Sequence, residues 1–94
     1  MFSLKDTEDA YKHFSSEAFK PGALDGKTKE LIGLAVSIMV DCIPCIGNHY
    51  KKAVEAGASH EEISEILPVV MAINCGTKAA KYSVLISDLA RQTA

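Results

Sequence analysis

Apolar residues in this chain recur three and four positions apart, and they nowhere settle into the strict alternation with polar ones that marks a half-buried strand. The Gly-containing two-residue turns that join hairpin strands are missing as well, and helix formers dominate. Such a chain is restricted to an all-α fold. The spacing predicts a first helix from about Lys5 to Phe19, with Ala10, Tyr11, Phe14 and Ala18 near one face and Pro21-Gly22 as its stop. Asp25 can cap a second helix over about Gly26 to Val40, carrying Leu31, Leu34, Ala35 and Ile38. A third begins at Asp41-Cys42-Ile43-Pro44, with Asp41 or Cys42 as cap and Pro44 in the first turn, where a missing N–H costs nothing. It runs to about Glu55, and Gly57 suits the left-handed position beyond its end. Ser59 and Glu62 then match a capping box. A fourth helix is expected to run to about Asn74 with an interruption or kink at Pro68. Gly76 is expected to mark a break before a last helix, Thr77 to Arg91, bearing Ala80, Val84, Leu85 and Leu89.

This pattern holds more apolar surface than one small chain can cover. Hydrophobic residues make up 48% of only 94 residues, enough for one domain. A chain of that length buries about 60–65% of its unfolded surface and is marginal alone. The second and fourth helices are apolar nearly all round, through Ile32, Val36, Met39 and Val40 in the second. Burial between copies, in a symmetric homo-oligomer, is therefore expected.

Charge and sequence also exclude some classes. A net charge of −2, with no basic run, provides no electrostatic footprint for nucleic acid. Met1-Phe2-Ser3-Leu4-Lys5-Asp6 has neither the basic nor the apolar part of a secretory leader. The longest uncharged stretch, Ile66 to Thr77, is too short to span a bilayer, so no membrane association is expected and the cytoplasm is the expected compartment.

Chemistry is concentrated at Cys42-Ile43-Pro44-Cys45-Ile46-Gly47-Asn48-His49. Two cysteines three apart at a helix start can close a small disulfide ring, and the unpaired N–H groups and dipole there favour a thiolate. Such a setting lowers a thiol pKa from roughly 8.5 to roughly 3.5–7.5. His49 follows Cys45 by one helical turn, on the same face, where it can take the thiol proton. It needs an orienting partner, and Glu30 on the preceding helix is a candidate. A second reading is a non-enzymatic metal-binding or thiol-sensing module using Cys42, Cys45, His49 and perhaps Cys75. A third treats the pair as packing cysteines. Haem attachment is excluded, because three residues separate Cys45 from His49. Cys75 itself, in an apolar stretch, is expected in the core. His60 is expected as a passenger of the capping box, and His13, Lys51-Lys52, Lys78 and Lys81 on solvated faces. Ser15-Ser16 has no His/Asp arrangement that would activate it.

With its upstream carboxylate the segment reads Glu30, eleven residues, Cys42-x-x-Cys45, three residues, His49. This resembles the signature of the alkyl hydroperoxidase D (AhpD) branch of the carboxymuconolactone decarboxylase superfamily. Asp25 to Ile32, His49 to Ala53, Gly57-Ala58-Ser59 and Glu61-Glu62-Ile63 resemble its surroundings. The match is good from about Leu24 to Leu67 and looser elsewhere. The resemblance implies one all-helical domain of about five to six helices across residues 1–94, assembled as a trimer or hexamer, hexamers being the form for short chains. It implies thiol peroxidase or protein disulfide reductase chemistry with no cofactor. Cys45 would be the thiol activated through His49 and Glu30, forming a sulfenic acid, and the more exposed Cys42 would close the disulfide. A thioredoxin-like scheme would make Cys42 the attacking thiol instead. Implied partners are a peroxide or disulfide substrate, a peroxiredoxin, and a thioredoxin- or lipoyl-type electron donor. The superfamily's lactone decarboxylases share the fold without being marked by this cysteine pair. Cys75 is outside the motif.

Overall fold

The computed structural model describes residues 4–93 as five helices with no strand among them. Residues 1–3 and 94 lie outside the described part, and the reading of the first residues as lacking a leader falls partly on them. Helix α1 covers Lys5–Phe19, α2 Gly26–Met39, α3 Ile43–Glu55, α4 His60–Ser64 and α5 Ile66–Thr93.

Local chemistry sets most of these limits. The Asp25 carboxylate accepts from the Thr28 backbone N–H at 2.8 Å and starts α2. Ser59 and Glu62 form the reciprocal capping box at α4: the Glu62 N–H donates to Ser59 Oγ at 3.1 Å, and the Ser59 N–H donates to Glu62 Oε1 at 2.8 Å. Gly57, with φ +96°, takes the left-handed position after α3. Lys27 at the start of α2 reaches Glu62 of α4 at 2.8 Å, tying two distant elements. The hydrogen bond from Lys27, followed by that from the Ser59 backbone, holds the Glu62 carboxyl below its usual range.

The C-terminal third differs from expectation. No break occurs at Gly76; α5 runs unbroken through it. Thr77 Oγ1 donates to the Ile73 carbonyl at 3.0 Å and Lys78 Nζ to Asn74 Oδ1 at 3.3 Å. These one-turn ties bracket the glycine, whose cost in a helix is only about 1 kcal/mol. The interruption falls at Glu65, where the chain passes from α4 to α5. Pro68 explains it, since a proline ring clashes with the carbonyl four residues earlier, here that of Ser64. At the third position of the new helix its missing N–H has no partner to lose.

The core is small. Leu34 and Ser37 of α2, Ala53 of α3 and Val70 of α5 are the buried residues among those described. They mark where the α2–α3 hairpin meets the first turns of α5. Beyond Val70 no residue of α5 is buried. Cys75, expected in the core, is exposed, as is every residue of α5 from Met71 to Ser87.

Candidate functional site

The site is built by the reversal between α2 and α3. Asp41 adopts φ 59°, the Asp41 N–H donates to the Ile38 carbonyl, and the Cys42 N–H donates to the Ser37 carbonyl at 3.0 Å. These are the bonds of a Schellman-type helix end with an aspartate in the left-handed position. They turn the chain within three residues, so that α3 starts at the foot of α2 and runs back along it. Cys42, with extended backbone, is the N-cap of α3; its sulfur accepts from the Cys45 N–H at 3.3 Å. Pro44 occupies the first turn.

Cys42 and Cys45 are joined as a disulfide with Cα atoms 5.2 Å apart. Both residues are half-buried. One turn on, His49 Nδ1 lies 2.8 Å from Glu30 Oε1, with only 15% and 13% of the two side chains exposed. An ionised Glu30 can only accept, which puts the hydrogen on Nδ1 and leaves Nε2 as the free acceptor. Cys42, Cys45 and His49, singled out by spacing, are thus brought together with Glu30, the candidate partner that the family resemblance implies. Cys75 is not brought to them: among the described residues no three His, Cys, Asp or Glu side chains gather as metal ligands would. His60, whose Nε2 is 3.5 Å from Ser64 Oγ, and His13 stand on exposed helix faces.

Three further residues shape the site. The Phe19 ring, at the end of α1, stacks on His49 with centroids 4.8 Å apart and planes 16° from parallel. Gly33 makes room for this: a Cβ there would fall 2.9 Å from Phe19 Cε1 and 3.2 Å from His49 Nδ1. Lys29 Nζ donates to the carbonyls of Ala18 and Lys20, at 3.1 and 2.5 Å, and so grips the chain on either side of Phe19. A phenylalanine at a helix end and a glycine inside a helix carry no chemical label in sequence. The sole signal for Gly33 was its presence in an otherwise strong helix. An open groove of about 470 Å³ runs past Cys45 and His49, walled by Leu24, Ile32, Val36 and Val40.

Fold and site together define a class: an all-α protein presenting a dithiol/disulfide pair at a helix N-terminus, beside a histidine oriented by a glutamate. Residues 5–88 match the carboxymuconolactone decarboxylase family model. The chain belongs to that family, and its cysteine pair is consistent with the AhpD-like branch. It is 38% identical over 73 residues to uncharacterized protein 4 in cox locus of Paracoccus denitrificans, a match covering 78% of this chain and 66% of that one. The chain therefore spans just under two thirds of that relative's length. Among solved structures it resembles a Methanobacterium thermoautotrophicum protein at 28% identity and TM-score 0.81, covering 89% of this chain and 97% of the other. It also resembles a Thermotoga maritima protein described as a carboxymuconolactone decarboxylase family member with a suggested part in antioxidative response. That likeness is at 30% identity and TM-score 0.67, over 97% of this chain and 99% of that one. None of the described helices is long and apolar enough to cross a membrane.

Proposed function

We propose that the protein is a thiol-dependent oxidoreductase that reduces peroxides or protein disulfides through Cys42 and Cys45. The observation that carries this reading is a closable cysteine pair at a helix N-terminus, one turn from a histidine already bonded to a glutamate. In the reduced protein His49 takes the Cys45 proton on Nε2, while Nδ1–H remains on Glu30. The Cys45 thiolate attacks the terminal peroxide oxygen, the O–O bond breaks, and the alkoxide leaves as alcohol with the proton from His49. The Cys42 thiol then attacks the sulfenic acid, forming the disulfide and releasing water. Two thiols and one hydroperoxide become one disulfide, one alcohol and one water. A dithiol of thioredoxin or lipoyl type, acting directly or on behalf of a peroxiredoxin, returns two electrons and two protons. The need for such a donor favours the cytoplasm as the place of work. The apolar groove beside Cys45 supports organic hydroperoxides over hydrogen peroxide.

The test is stopped-flow oxidation of the reduced protein by cumene hydroperoxide and hydrogen peroxide, with mass spectrometry of the product. Loss of two thiols to a Cys42–Cys45 disulfide is expected, faster with cumene hydroperoxide. Cys45→Ser abolishes it, and His49→Ala slows it by roughly 10²–10⁴-fold, the range of a lost general base. Turnover of a lactone substrate that survives loss of both thiols would instead point to decarboxylase chemistry on the same fold.

A further inference from the structure

The His49 ring is held on two sides, and the relay uses only one of them. Its Nδ1 edge is fixed by Glu30, while its face is covered by Phe19, the nearly parallel stack described above. α1 contributes no buried residue to the core, so α1 is not a packing element that happens to carry an aromatic. The place of Phe19 is determined instead by the Lys29 ammonium on the carbonyls of Ala18 and Lys20 and by the clearance at Gly33.

We propose that Phe19 is a positioning residue for the thiol relay, stabilising the imidazolium form of His49 through its ring face and keeping Nδ1 on Glu30. This inference rests on the dithiol reading. An aromatic face carries negative potential and attracts a cation lying over it. The proton involved moves from Cys45 Sγ to His49 Nε2, giving a thiolate and an imidazolium, and no electron moves in that step. Glu30 on α2 and Cys45 on the histidine's own helix face the ring from within the site. Lys29 on α2 lines the same groove, while Lys12 and Lys20 of α1 and Lys52 of α3 line a second depression beyond Phe19.

The experiment uses the reduced full chain in a Cys42→Ser background. The rate of Cys45 alkylation by iodoacetamide is followed against pH, with the modified peptide identified by mass spectrometry. The His49 titration is read in parallel by nuclear magnetic resonance. Phe19→Leu is expected to raise the Cys45 midpoint by about half a pH unit, about threefold less thiolate at a fixed pH below it, and to lower that of His49. Phe19→Tyr restores both. Phe19→Met replaces Phe19→Leu should the latter lose helical structure. A Cys45 midpoint unmoved by loss of the Phe19 ring, while His49→Ala moves it, overturns the role of Phe19 alone. A midpoint unmoved by His49→Ala overturns the relay and the role of Phe19 with it.

Discussion

At the scale of single residues, the site depends on a clearance of one methyl group. Gly33 lies inside α2, where glycine costs about 1 kcal/mol relative to alanine, and it is there because Phe19 and His49 occupy the volume a Cβ needs. A helix-propensity argument therefore predicts that Gly33→Ala stabilises the protein, and the packing argument predicts the reverse. Packing decides, because the 2.9 Å approach is to a ring pinned by its own backbone. Overpacking of this kind costs about 1–3 kcal/mol. Net of the propensity gain, Gly33→Ala is expected to be destabilised by up to about 2 kcal/mol in urea titration. Adding Phe19→Ala should recover part of the loss, since the closest approach is then gone and only that to His49 remains. A stabilised single variant would show that the ring yields freely, and that the stack is not a fixed feature of the site.

The elements are set by caps that carry charge, and this gives the protein a specific acid sensitivity. The hydrogen bonds from Thr28 hold the Asp25 carboxyl below its usual range, as Lys27 and Ser59 do for Glu62. Both carboxyls bind protons more tightly when unfolded. Their contribution is complete above the ordinary carboxylate range and is lost as pH falls through the lowered values, below about pH 4. Asp25→Asn with Glu62→Gln keeps both caps in neutral form and should flatten the fall in melting temperature between pH 5 and pH 3. An acid limb as steep as that of the wild type would assign the sensitivity to other carboxylates. The same caps were legible in the sequence because each is a short-range pattern: aspartate before a helix, Ser-x-x-Glu, proline in a first turn. The start of α5 was misplaced for a related reason. Pro68 acts on Ser64, four residues back, so the stop appears before the proline and not at it. Gly76 misled because a single glycine is a weak signal that neighbouring bonds can override. Cys42, Cys45 and His49 were legible because the pair stands at a helix start and helical spacing puts Cys45 and His49 on one face. Glu30, on another helix, was only a candidate until the family pattern was set beside it. Phe19, Gly33 and Lys29 were not legible, because only the crossing of α1 over α2 brings them to the imidazole.

At the scale of the whole molecule, the chain has the dimensions of a part and not of a complete globule. Its radius of gyration is 18.4 Å, where a compact chain of this length has about 12 Å. Its accessible surface of 7134 Å² exceeds by about 1,800 Å² the roughly 5,300 Å² expected of a compact monomer of 10.1 kDa. That excess is larger than the roughly 800 Å² each partner gives to an ordinary stable interface and approaches an obligate one. The excess is apolar: Val69, Ile73, Val84 and Ile86 of α5 are each at least 60% exposed, as no monomer's longest helix should be. The proposed homo-oligomer, a trimer or hexamer, would cover these faces with other copies of the chain, and Ile86 provides its sharpest test. It is 64% exposed, far along α5 from Val70, the helix's one buried residue, so replacing it disturbs no contact of the single chain's core. An aspartate there forfeits about 1.5–3 kcal/mol of apolar burial per copy and adds the desolvation of a charge. Symmetry repeats the loss in every subunit. Sedimentation velocity of the wild type at micromolar concentration is expected to give a single oligomer. Ile86→Asp should dissociate at concentrations at least about 100-fold higher, with loss of helicity on dissociation, because the separated chain has almost no core. Gln92→Asp, exposed on the same helix, should leave assembly unchanged. A fully helical wild-type monomer, or an Ile86→Asp variant as tightly assembled as the wild type, would mean that these faces are covered by something other than a second copy.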